Sequence, residues 1–243
     1  MRVTPLLAVV AALVVSGCAT MRPEPASPSL AALPPVPEPP AVVEPEPEQK
    51  PEPQLQIACV EEPLVDTWER RYRAQRSHWE DHLDHPRRGG KYFPEVQRMV
   101  DEAGLPPEVA FLPTLESGYR SEVRGIGGLG LWQLCASTAR RYGLVVTPKR
   151  DDRLNPHLAT KAAIRYLQDL YERYGDWPLA LAAYNAGEGR VDRALRLYPG
   201  ASYWDLAERG QLPTVTCTYV PRLLGLVRAA RPDECAEPSD DSF

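Results

Sequence analysis

LPPEVAFLPTLESGYRSEVRGIGGLGLWQ, residues 105–133, runs from an apolar helical pattern through a single carboxylate into a glycine-rich segment. Leu105, Val109, Leu112 and Leu115 recur at helical spacing, Pro106 and Pro107 suit a first turn, and Gly118 supplies a stop. Glu116 therefore falls at a helix exit, flanked by Leu115 and Tyr119. A carboxyl group packed away from water favours its neutral form and can donate a proton near neutral pH. A Glu after an apolar run is more often a solvated helix end, so Glu116 alone decides little.

Its company carries more. Downstream come GLGLWQ (128–133), STARRYGL (137–144), ALAAYNAGEGRV (180–191) and LPTVTCTYVPRLL (212–224). Any one of these is a weak signal, but their order and spacing after an ES pair are specific. Together they resemble the lytic transglycosylases of the goose-lysozyme-like superfamily, most closely the membrane-bound lytic murein transglycosylase D group, over residues 68–227. The resemblance implies a mainly α, lysozyme-like (goose-type) helical domain. It also implies cleavage of the MurNAc–GlcNAc β-1,4 bond of peptidoglycan to give a 1,6-anhydro end, without water as nucleophile. That chemistry needs one carboxyl group, Glu116, as acid and then base, and no metal or cofactor. The sugar's 2-acetamido group would stabilise the cation-like centre in place of a second carboxylate.

The matched motifs assign further residues. Ser117 of the ES pair, Gln133, Tyr184, Asn185 and Tyr219 are expected to bind substrate or to face the acid. Gln133 offers amide donors and an acceptor to sugar groups, and Tyr184 offers a phenol to the carboxylate or the sugar. Trp132 suits either a sugar face or the core, with the core favoured. Some positions depart from the family pattern. Val215 stands in LPTVT where relatives carry an acid, and residues 121–125 differ in length and kind. A peptidoglycan-binding scaffold with weakened turnover is therefore the alternative reading.

Of five cysteines, Cys18 stands apart, and Cys59, Cys135, Cys217 and Cys235 allow three pairings. The family fold implies Cys135 with Cys217, leaving Cys59 to pair with Cys235; buried free thiols are the other option.

Outside the motifs, residues 66–84 read as an amphipathic helix (Trp68, Tyr72, Trp79, Leu83) and 93–103 as a second, ended by Gly104. Asn155-Pro156 starts another that Gly175 ends. Residues 179–184, 191–197 and 213–228 complete the helical set, and strand-like alternation is scarce. The catalytic domain is expected over 55–235, long enough for one core, with an acidic tail at 236–243. His78, His82 and His85 include a zinc-like spacing, but Trp79 occupies the position of a metalloprotease Glu and no third ligand is evident. A solvated helix face is the expectation, and no metal.

The N-terminus predicts location. The apolar run 6–15 is too short to span a bilayer and suits a signal-peptide core, giving a leader over 1–17. It ends in Val15-Ser16-Gly17-Cys18, which resembles a lipobox, so Cys18 is the expected lipid attachment point, with more than one chain giving a stable anchor. Ala19 after it resembles proteins sorted to the outer membrane, which predicts the periplasmic face of that membrane. Residues 18–54 are dominated by Pro and Glu and cannot pack; as an extended tether they would reach about 100 Å. A net charge of −5 argues against nucleic acid as a partner. It leaves peptidoglycan glycan strands and, through the lipid, the membrane.

Overall fold

The computed structural model describes residues 57–75 and 90–235. The expected signal peptide, Cys18, the tether, the acidic tail and the three histidines at 78, 82 and 85 lie outside them. Nine helices follow among the described residues: α1 (Pro63–Ala74), α2 (Phe93–Glu102), α3 (Leu112–Ser117), α4 (Ala136–Arg141), α5 (Pro156–Tyr174), α6 (Trp177–Ala186), α7 (Glu188–Leu197), α8 (Tyr203–Glu208) and α9 (Thr214–Ala230). One two-stranded antiparallel hairpin, β1 (Gly128–Leu129) with β2 (Leu134–Cys135), pairs Gly128 with Cys135 and Leu129 with Leu134. The mainly α expectation holds.

Local chemistry sets most helix ends. Asn155 accepts from the Leu158 N–H at 3.1 Å and Asp176 from that of Leu179 at 2.7 Å, each satisfying a donor that the first turn leaves free. Ser202 and Asp205 form a reciprocal capping box at α8. Helix α6, WPLALAAYNA, is apolar nearly all round, so it can only be stable in the interior; eight of its ten residues are buried. Helices α5, α7, α8 and α9 pack around it.

Two expected helices are corrected. The first begins at Pro63, three residues before the expected 66, because proline suits a helix's first turn. The 105–115 pattern does not form one helix. Pro107–Phe111 is a 3-10 turn and α3 restarts at Leu112, because Pro113 has no N–H to carry an α-helical ladder across the junction.

The last helix is clasped by the first. At Gly225 an added Cβ would lie 2.7 Å from the Trp68 Cβ and 2.9 Å from the Val65 carbonyl oxygen, so only glycine lets α1 approach α9 this closely. Arg228 donates to the Ala58 carbonyl at 2.6 Å and to Asp66 at 2.7 Å, and also to the Val60 carbonyl. Buried Glu108 accepts from the Ala58 N–H at 2.9 Å. The Cys59–Cys235 disulfide closes this clasp across 176 residues.

Cys135 and Cys217 are not paired with each other; both are free thiols, which corrects the expected second disulfide. Each sulfur turns to its own helix start. Cys135 caps α4, its Sγ accepting from the Thr138 N–H at 3.5 Å, whereas Cys217 donates to the Leu212 carbonyl at 3.5 Å beside the first turn of α9.

Candidate active site

Helix α3 ends at Gly118, whose left-handed φ of 59° turns the chain away and leaves Glu116 in the final turn. Buried Val109, Ala110, Phe111 and Leu112 anchor the preceding turns. Glu116 as a whole is half-buried, because one side borders a cleft of about 650 Å³. Its carboxyl is crowded by protein, and burial pushes its pKa up from 4.5 to about 7. A hydrogen bond from Tyr219 and the charge of Arg222 pull it part of the way back. At neutral pH this carboxyl is thus poised between acid and base.

Tyr219 is buried on α9 and donates its hydroxyl to Glu116 Oε1 at 2.5 Å. Burial, followed by the nearby Glu116 charge, raises the phenol well above its ordinary value, so it stays a donor. Arg222 follows three residues later, on the same side of the helix as Tyr219, with its guanidinium 5.4 Å from the Trp68 ring centroid.

The glycine-rich segment forms another wall. Gly130 adopts φ 79°, and an added Cβ would sit 2.0 Å from the Arg153 carbonyl oxygen, so side chains are excluded there. Arg153 is buried, paired with Asp151 at 2.7 Å, and donates to the Leu134 carbonyl at 3.1 Å. Tyr119 and Gln133, at φ 60° and 48°, are the two non-glycine residues with positive φ among the described ones, and they bracket this segment. Such left-handed backbone persists only where surrounding structure holds it.

The expected site residues divide into several roles. Gln133, Tyr184 and Asn185 line the cleft with Glu116. Both amide hydrogens of Gln133 are spent on the chain, donated to the Val123 carbonyl at 2.9 Å and the Gly130 carbonyl at 2.8 Å. Tyr184 donates to the Trp132 carbonyl at 2.7 Å rather than to the acid, and Asn185 Oδ1 accepts from Thr216 at 2.8 Å. Tyr219 stands behind the acid, outside the cleft lining. Ser117 is a correction: it is buried and absent from the cleft, and its hydroxyl bonds the Leu131 carbonyl at 2.8 Å, pinning α3 to the glycine-rich segment. Trp132 is core, fully buried, with its indole N–H on Thr160 at 2.9 Å. Val215 is 57 % exposed and does not line the cleft.

Tyr166, Glu188, Arg190 and Arg222 join the site without having been singled out from the sequence. Position three after Tyr219 on one helix was the available signal for Arg222. Glu188 and Arg190 sit directly after the AYNAG corner. Tyr166 carried no signal beyond its place on an apolar helix face.

A carboxyl of raised pKa at a helix exit, set in a cleft of a small helical domain beside a glycine-rich hairpin, is the arrangement of a lysozyme-like fold. Residues 96–206 match the family model described as Transglycosylase SLT domain. Among similar proteins, the membrane-bound lytic murein transglycosylase D of Escherichia coli (strain K12) is 35 % identical over 145 residues, covering 57 % of this chain and 31 % of the relative. A putative tributyltin chloride resistance protein of Alteromonas sp. (strain M-1) is 34 % identical over 110 residues, 44 % of this chain and 53 % of its own length. The peptidoglycan transglycosylase gp16 of Escherichia phage T7 is 38 % identical over 125 residues, 50 % of this chain and 8 % of the phage protein. The chain thus spans about a third of the length of the E. coli relative.

Proposed function

We propose that this protein is a peptidoglycan lytic transglycosylase that cleaves the MurNAc–GlcNAc β-1,4 bond to leave a 1,6-anhydro-MurNAc end. The observation that carries the reading is Glu116 itself, raised to about 7 by burial at the wall of a 650 Å³ cleft. Protonated Glu116 gives its hydrogen to the glycosidic oxygen as the bond to C1 breaks. The 2-acetamido group stabilises the positive charge at C1. Glu116, now a carboxylate, takes the proton of the C6 hydroxyl as that oxygen bonds to C1, which restores the acid and consumes no water. Tyr219 and Arg222 ease the anionic interval, since both favour the charged carboxylate. The SLT domain match and the transglycosylases among its relatives support the same reading.

In this reading residues 1–17 are a lipoprotein signal peptide, Cys18 carries the lipid and 18–54 form the tether. Residues 55–235 are the catalytic domain, 236–243 an acidic tail, and the enzyme works from the periplasmic face of the outer membrane. Incubating the purified chain with peptidoglycan and identifying products by mass spectrometry tests the activity. Anhydro-muropeptides that vanish with Glu116→Gln are expected; reducing-end products, or no products, would overturn it.

A further inference from the structure

Glu188 opens α7 directly after the AYNAG corner, and the reaction described above does not use it. It nevertheless lines the cleft together with Glu116. Its Oε1 accepts from Arg141 at 2.9 Å, and its Oε2 from the Tyr166 hydroxyl at 3.3 Å. A surface ion pair is by itself worth little. This one joins residues 47 apart in sequence, tying the start of α7 to the end of α4, the helix that follows GLGLWQ.

The support behind Glu188 is rigid. The Tyr166 ring lies 5.3 Å from that of Tyr142 and 5.4 Å from that of Tyr184, so the group that holds Oε2 is itself fixed by packing. Burial, then the charge of Glu188, pushes the Tyr166 phenol up, which keeps it a donor. The Glu188 side chain remains 28 % exposed. Each carboxylate oxygen can accept two hydrogen bonds, and each has one acceptor site unclaimed among the described residues. The two carboxylates of the cleft therefore differ. Glu116 is pushed towards its neutral form by burial, whereas Glu188 faces a guanidinium and keeps lone pairs free for donors.

We propose that Glu188 is a substrate-binding residue of this cleft. It accepts hydrogen bonds from hydroxyl or amide N–H groups of an N-acetylated glycan, with Arg141 and Tyr166 fixing its orientation. This rests on the reading that the cleft takes such a strand, and it extends that reading to the residue that seats the strand.

Calorimetric titration of the full chain carrying Glu116→Gln with soluble, uncross-linked peptidoglycan strands provides the test. Adding Glu188→Gln, which keeps shape and loses charge, is expected to raise Kd about tenfold, the scale of one charge-assisted hydrogen bond. Arg141→Ala should weaken binding too, and the double variant no more than Glu188→Gln alone, because Arg141 acts through Glu188. With Glu116 intact, Glu188→Gln should raise KM and leave kcat and the upper limb of its pH profile unchanged. A Kd within about twofold of the parent overturns the proposal, as does a fall in kcat at constant KM. A parent that binds no strand at all overturns the functional reading as well, whereas a parent that binds equally well without Glu188 overturns this proposal alone.

Discussion

Tyr219 holds Glu116 across 103 residues of sequence, its hydroxyl 2.5 Å from Oε1. The same contact that orients the acid lowers its pKa, so it works against the burial that raises it. The balance between the two places the carboxyl near neutrality.

Tyr219→Phe removes the donor and keeps the ring. The Glu116 pKa should then rise above its present value of about 7, moving the alkaline limb of the pH–rate profile upward. The maximal rate should fall roughly tenfold as the acid loses its orientation. Rates measured across the neutral range decide it; an unmoved limb would show that Tyr219 does not tune the acid.

Glu116 also makes stability depend on pH. Its pKa is about 7 in the folded chain against 4.5 as a reference, so between these values the folded state keeps a proton that the unfolded state releases. Stability from this residue is therefore full below pH 4.5 and declines as pH rises towards 7. Glu116→Gln abolishes that decline. Urea titrations should find the variant more stable than the parent at about pH 8 and indistinguishable at about pH 4; equal stability at both would mean the carboxyl is not desolvated.

The Cys59–Cys235 bridge closes a loop with a sequence separation of 176 and ties the segment before α1 to the 3-10 turn Pro232–Cys235, which follows the helix that carries Tyr219. Replacing both cysteines by serine should cost about 2–5 kcal/mol of unfolding free energy. Denaturation with and without reductant gives the number. A parent insensitive to reductant would show that the clasp of Gly225 and Arg228 suffices.

Cys135 is exposed at the cleft and Cys217 is half-buried. Burial tends to raise the Cys135 thiol, but hydrogen bonds from Ser137 and Thr138 outweigh it and lower the pKa; burial raises that of Cys217. Iodoacetamide should therefore label Cys135 first and block turnover, while Cys135→Ser resists inactivation. Peptide mapping after partial labelling checks the order, and preferential labelling of Cys217 would contradict it.

Much of this protein is written locally. Asn155 and Pro156 start α5 and Gly175 ends it, because caps and left-handed glycines act within one turn of the chain. Gly118 likewise put Glu116 at a helix exit. The break at Pro113 was legible in principle, since a missing N–H is a property of one residue, but the apolar spacing masked it.

What the residues alone left open was most of what chain segments far apart make together. Four cysteines permit three pairings, and only the fold joins Cys59 to Cys235 while turning Cys135 and Cys217 to separate helix starts. Ser117 and Gln133 look equally suited to binding sugar in the sequence, yet backbone carbonyls claim the hydroxyl of one and the amide hydrogens of the other. Sequence alone supplied the carboxyl group at a helix exit and most of the helices, because these depend on neighbours within a few residues. Tertiary structure alone set the strength of that carboxyl and gave it Arg222 and a second cleft carboxylate, because desolvation and charge act through space rather than along the chain.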